Sequence, residues 1–147
     1  MSPVKRGKHA VYDLKYHLVW IPKYRKMILK KELAQKLKEI FQGIAERYEF
    51  EIDTMEIMKD HVHLFIEAPP KYSPARVVQI LKSISARIVF EEYPEIKKKL
   101  WGGELWSDGY FVRSVGDKVT TEVIRKYIQL QHKEKEGFQL EQMNFDL

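Results

Sequence analysis

Two histidines stand two residues apart in "DHVHLFIE", residues 60–67. On a strand, side chains two apart share a face. His61 and His63 then present paired imidazoles, while Val62, Leu64 and Ile66 point the other way into a core. Two imidazoles can ligate one divalent cation, but a stable site wants at least a third donor. In "RKYIQLQ", Tyr127 and Gln131 are four apart and share a helix face. Gln131 could give an amide oxygen to a hard cation, and Tyr127, one turn earlier, would hold its phenol near the same ion. Either spacing alone is common, and the bland alternative is ordinary strand histidines beside a tyrosine at a core edge.

The elements that must position these groups follow from periodicity. "VYDLKYHLVWI" (11–21) alternates as a strand with one very apolar face. Leu33, Leu37, Ile40, Phe41, Ile44 and Tyr48 predict a helix over about 30–48. "FEIDTMEIMK" (50–59) is a second strand whose alternation slips near Thr54, as at a bulge. Lys59–Asp60 joins it tightly to the histidine strand, which predicts a hairpin. Ser73 and Pro74 read as an N-cap and first-turn proline of a helix that ends before Pro94. "YFVRSV" (110–115) is a fourth strand, after a loop over 101–109, and a last helix runs from near Thr120 to about 132. This order predicts an α+β, ferredoxin-like split βαβ fold with an antiparallel sheet, helices on one face and an added C-terminal helix. The sheet face bearing His61 and His63 is expected to stay open unless the last helix or a second subunit covers it.

At 147 residues, with 44% hydrophobic and 32% charged residues, the chain reads as a single soluble globular domain. Its core is expected over about 10–132, with 133–147 a polar tail. No run of some 18 apolar residues suggests a membrane span. A basic N-terminus without an apolar segment behind it argues against a secretory signal, so a cytoplasmic location is expected. Zero cysteines exclude disulfides and thiolate metal sites. A net charge of +5, with basic runs at 5–8, 23–26 and 97–99 and aromatics nearby, suits single-stranded nucleic acid as well as a solvated lysine-rich surface. Of the other candidates, His17 reads as structural or solvent-facing, His132 as facing away, and His9 as part of the basic N-terminal segment. Glu67 reads as an exposed strand-end carboxylate or a partner of the histidines. Lys82 and Arg87 could meet phosphate or solvent. Trp101, Trp106, Tyr110 and Phe111 read as packing more than as base-stacking platforms.

The segments "YHLVWIPKYRK", "DHVHLFIEAPP", "LKSISARIVF", "LWGGELWSDGYFVRSVG" and "YIQLQ" resemble, in family order, the single-tyrosine transposases of the insertion sequence 200/605 family. These belong to the HUH superfamily, in which a hydrophobic residue separates two histidines. The resemblance extends from about residue 10 to 132. It implies that His61, His63 and Gln131 are metal ligands, that Tyr127 is the nucleophile, and that the last helix carries it. It implies homodimers with merged sheets, in which one subunit's tyrosine helix can complete the other's HUH site. It also implies single-stranded transposon ends folded into imperfect hairpins as substrates. Gln129 and Leu130 stand where relatives often carry an acidic residue and asparagine.

The implied chemistry suits these groups. A phenol with a pKa near 10 is a poor nucleophile at neutral pH unless its charge is stabilised or its proton removed. Mg²⁺ or Mn²⁺ would polarise the scissile phosphate. Attack by Tyr127 would leave a 5′-phosphotyrosine and a free 3′-OH, and another 3′-OH could then reverse the step without ATP. Two rivals accompany this reading. One is a domesticated relative that processes chromosomal hairpin repeats, and the other a ferredoxin-like nucleic-acid-binding module without catalysis.

Overall fold

Strand alternation and helical spacing both find partners in the computed structural model. It describes residues 5–6, 11–23, 31–100, 103–114 and 121–134, with the side chains of 6, 121–123 and 131–134 outside the description. The chain forms two compact units, Met1–Val115 and Gly116–Leu147.

In the first unit, β1 (Lys5–Arg6) pairs with β2 (Val11–Tyr12) in a small ribbon. The main sheet contains β3 (Lys15–Trp20), β4 (Glu51–Met58), β5 (His61–Glu67) and β6 (Phe111–Ser114). Its order is β4-β5-β3-β6, with every neighbour antiparallel. The helices are α1 (Lys31–Tyr48), α2 (Pro74–Glu92) and the short α3 (Pro94–Lys99). With α1 between β3 and β4, and α2 between β5 and β6, this is the expected split βαβ arrangement. The second unit holds α4 (Thr121–Glu134).

One sheet face builds the core. Leu18 and Trp20 of β3 and Val62, Leu64 and Ile66 of β5 are buried with Leu37, Phe41 and Ile44 of α1 and Val77, Leu81 and Val89 of α2. Trp20 meets Phe41 and Trp106 edge to face. The Trp106 indole N–H donates to Ser85 Oγ at 2.9 Å, so this buried polar group is satisfied. Ser73 caps α2 by accepting from the Arg76 amide at 3.1 Å, with Pro74 in the first turn.

The structure refines the sequence reading in four places. The strand expected over 11–21 is interrupted at Asp13–Leu14, where the Leu14 carbonyl accepts from the Ala68 amide at 3.1 Å. The slip near Thr54 is a real register shift, lying between Ile52 and Thr54 and leaving Asp53 as the extra residue. Helix α3 occupies the lysine run that composition alone left unassigned. Finally, α4 extends to Glu134, and the rest of the expected tail, 135–147, lies outside the described residues.

Candidate active site

The hairpin of β4 and β5 turns at Lys59–Asp60 and starts β5 on His61. Pairing places Met58 opposite His61 and Glu56 opposite His63; on the other side of β5, Val19 lies opposite His63 and His17 opposite Phe65. Directly opposed residues share a face. The face turned away from the core therefore carries His61, His63, Phe65 and Glu67 of β5 with Lys15, His17 and Val19 of β3. It is not open: His17 and His63 are each 6% exposed, Val19 0% and Glu67 1%.

Each paired imidazole has one nitrogen engaged. His61 Nδ1 lies 2.9 Å from Asp60 Oδ1, so the turn residue orients the ring. His63 Nε2 lies 3.2 Å from His17 Nδ1 across the strand boundary. His17 in turn stacks on Phe65, with ring centroids 4.4 Å apart and planes 11° apart. The other nitrogen of His63, Nδ1, is buried without a hydrogen-bond partner among the described residues, and Glu56 Oε1 is 4.0 Å away. Burial holds the pKa of His63 below the usual imidazole value, and the neighbouring His17 and His61 act in the same direction against the pull of Glu56. Burial, with help from the Arg113 charge, lowers His17 as well. Both rings are thus biased toward the neutral form.

His17 is the residue that sequence reasoning undervalued. It lies on the same β3 face as Lys15 and Val19, but only the β3–β5 register shows that this face meets the histidine pair. Glu67 also departs from expectation. It is buried at the far end of β5 opposite Lys15, and both its oxygens lack a hydrogen-bond partner among the described residues. It lines a cavity of about 340 Å³ with Lys5, Tyr12 and Glu51, and Lys5 forms an ion pair with Glu51. Its position four residues along the strand from His63 removes it from the histidines' immediate surroundings.

Lys82 is committed to structure. Its ammonium donates to the carbonyls of Ser107 at 2.8 Å and Gly109 at 3.1 Å, pinning the loop before β6, and burial lowers its pKa to about 8. Arg87 is exposed, Trp106 is core and Tyr110 packs against it. Phe111 is buried on the histidine side of the sheet, opposite Val19.

Within the second unit, α4 places Tyr127 and Gln131 one turn apart on its backbone, as the spacing required. Tyr127 is fully buried. The side chains of Gln131 and His132, and all of His9 and Trp101, lie outside the described residues.

The chain matches the family described as "Transposase IS200 like" over residues 10–131. It belongs to the IS200-like transposases. Among relatives of this transposase, the ISDra2 transposase TnpA of Deinococcus radiodurans is 44% identical over 129 residues, covering 88% of this chain and 91% of that protein. The transposase for insertion sequence element IS200 of Salmonella typhimurium is 33% identical over 141 residues, covering 95% and 91%. A crystal structure from Deinococcus radiodurans, assigned as a transposase, superposes with a TM-score of 0.71 at 38% identity, covering 92% of this chain and 99% of that one. A REP-associated tyrosine transposase bound to a REP hairpin shares the fold, with a TM-score of 0.52 at 14% identity, covering 95% and 76%. The α+β fold and the family expected from the sequence are thereby established. No helix among the described residues is long and apolar enough to cross a membrane.

Proposed function

We propose that this transposase cleaves and rejoins single-stranded transposon ends at hairpins through a 5′-phosphotyrosine on Tyr127, with a divalent cation held by His61, His63 and Gln131. The observation that carries the reading is the pair of imidazoles on one sheet face. Each ring is fixed through one nitrogen, and the other nitrogen of His63 is buried without a hydrogen bond among the described residues, 4.0 Å from the Glu56 carboxylate.

The donors fit such an ion. Two imidazoles supply two lone pairs, and the Gln131 carboxamide oxygen would supply a third donor of the kind a hard divalent cation accepts. Mg²⁺ or Mn²⁺ bound there would supply Lewis-acid polarisation of the scissile phosphate and offset its developing charge. Asp60 and His17 keep the two imidazoles in fixed orientations. Tyr127 loses its phenolic proton as its oxygen bonds to phosphorus. The P–O3′ bond breaks, and the departing 3′ oxygen takes up a proton to become a free 3′-OH. Reversal by a different 3′-OH expels the Tyr127 phenolate, which regains its proton, and joins the new strand. Residues 1–147 act as one catalytic domain with its core over about 10–132, in the cytoplasm, and as a homodimer whose two composite sites cut both ends.

The test incubates the protein with hairpin-bearing single-stranded DNA from its own element ends and Mg²⁺ or Mn²⁺, followed by a denaturing gel. A covalent protein–DNA adduct is expected. Tyr127→Phe abolishes the adduct and retains hairpin binding, whereas His63→Ala or a chelator abolishes cleavage and leaves binding. Reversible binding without an adduct in the wild-type protein would instead mark a non-catalytic binding module. Cleavage of chromosomal repeats in place of element ends would mark a domesticated relative.

A further inference from the structure

The geometry points to Arg113 as a phosphate-binding residue of the cleavage site, its guanidinium gripping the backbone of the single strand laid across the histidine face. The inference rests on the proposed strand cleavage and goes beyond it, because neither the histidine motif nor the tyrosine helix includes β6.

Arg113 lies within β6 opposite His17, which in turn lies opposite Phe65. Directly opposed residues share a face. Arg113, His17 and Phe65 therefore form one row across the sheet, next to the row of Phe111, Val19 and His63. Spacings of about 4.8 Å between strands and about 3.3 Å along them put the Cα atoms of His63 and Arg113 roughly 12 Å apart. A nucleotide unit lying between the two side chains spans that gap.

The guanidinium has nothing to hold there. Its Nη1 is buried without a hydrogen-bond partner, and no carboxylate forms an ion pair with Arg113, among the described residues. Other cations of the chain are engaged. Lys15, on the same face, pairs with Asp13 at 2.7 Å, and Lys82 donates to two backbone carbonyls. The Arg113 charge instead acts on His17 across the strand boundary. Taking a charged donor out of water without an acceptor costs free energy, so the acceptor is one that the chain does not supply. A phosphodiester fits best, because two of its oxygens match the guanidinium fork and its charge neutralises the arginine. A guanine edge offers a similar pair of acceptors but no charge.

The experiment measures binding of hairpin DNA with its single-stranded flank by fluorescence anisotropy, with a neutral methylphosphonate replacing each flank phosphate in turn. Wild type, Arg113→Leu and Arg113→Gln are compared, alongside thermal melting. In wild type, one replacement at or beside the cut is expected to weaken binding roughly 10–100-fold, the range of a charge-assisted hydrogen bond. Arg113→Leu should lose a similar factor on unmodified DNA, and the same replacement should then cost it almost nothing. Should Arg113→Leu fail to fold, Arg113→Gln, which stays polar without the charge, carries the same comparison. If every replacement costs the variant as much as it costs wild type, Arg113 acts through structure or general charge alone and the assignment fails. Adduct formation on a denaturing gel reports separately on the cleavage. Wild type that forms the adduct while the coupling is absent overturns the Arg113 assignment alone. Wild type that forms none overturns the cleavage reading, and the inference with it.

Discussion

His63 and Glu67 lie on one strand and one face, yet burial acts on them with opposite consequences. Removing an imidazole from water favours its neutral form, which is the ligand form. Removing a carboxylate from water favours its protonated form, and burial raises the pKa of Glu67 above the ordinary 4.5, although Lys15 and Lys5 pull it down. The folded state therefore holds the Glu67 proton more tightly than the unfolded chain does. The stabilisation from this group is fully present below about pH 4.5 and is lost as pH rises through the folded value. Glu67→Gln removes the ionisation. We expect the variant to be more stable than wild type at pH 7, with the gap closing toward pH 4.5, as read from urea midpoints across that range. A gap that is constant with pH would show that Glu67 is not held protonated by burial.

At the scale of elements, two irregularities set the geometry. The extra residue at Asp53 shifts the register of β4 by one. Because side chains alternate with a period of two, that shift exchanges the faces of all residues beyond it. It is why Glu56, and not Met55, stands opposite His63. The other irregularity is the end of α1. Glu49 adopts a φ of 64°, and the Phe50 amide donates to the Ala45 carbonyl at 2.9 Å, the closing bond of a Schellman motif. A left-handed conformation costs a residue with a Cβ roughly 1–2 kcal/mol, and glycine escapes most of this at a smaller cost in the unfolded chain. Glu49→Gly should therefore stabilise the protein by about 0.5–1 kcal/mol, measurable by denaturant unfolding. A destabilised variant would show that the Glu49 side chain, 3.4 Å from Lys71, matters more than its backbone.

For the whole molecule, the excess of 26 Lys and Arg over 21 Asp and Glu is modest, and several of the cations are already committed. Lys5, Lys15, Lys23 and Lys36 form ion pairs within the chain, and Lys82 is turned onto backbone carbonyls. Net charge is therefore a poor guide to how many phosphates are neutralised. Arg76, Arg87, Arg125 and Lys126 remain among the exposed cations. Affinity for the proposed hairpin substrate should fall linearly with the logarithm of salt concentration, with a slope of about −0.7 to −0.9 for each phosphate contacted. A titration in KCl read by fluorescence anisotropy checks this. Little dependence on salt would mean that base stacking, and not phosphate contact, dominates binding.

Periodicity determined the long strands and helices, though not β1, the break at Asp13–Leu14 or α3, because a chain that must bury one face of each strand and helix leaves that face written in its spacing. The slip near Thr54 was legible for this reason, the hairpin and the Ser73 cap were legible from their turn and capping residues, and the motifs added the family. Contacts between residues distant in sequence were not legible. That His17 touches His63 depends on the register of β3 against β5, which is set by packing along the whole interface and by no local feature of either segment. The burial of Glu67 and the engagement of Lys82 have the same origin. Each depends on which surfaces the tertiary fold removes from water, and a strand-end glutamate or a helix lysine carries no mark of that in its own neighbourhood.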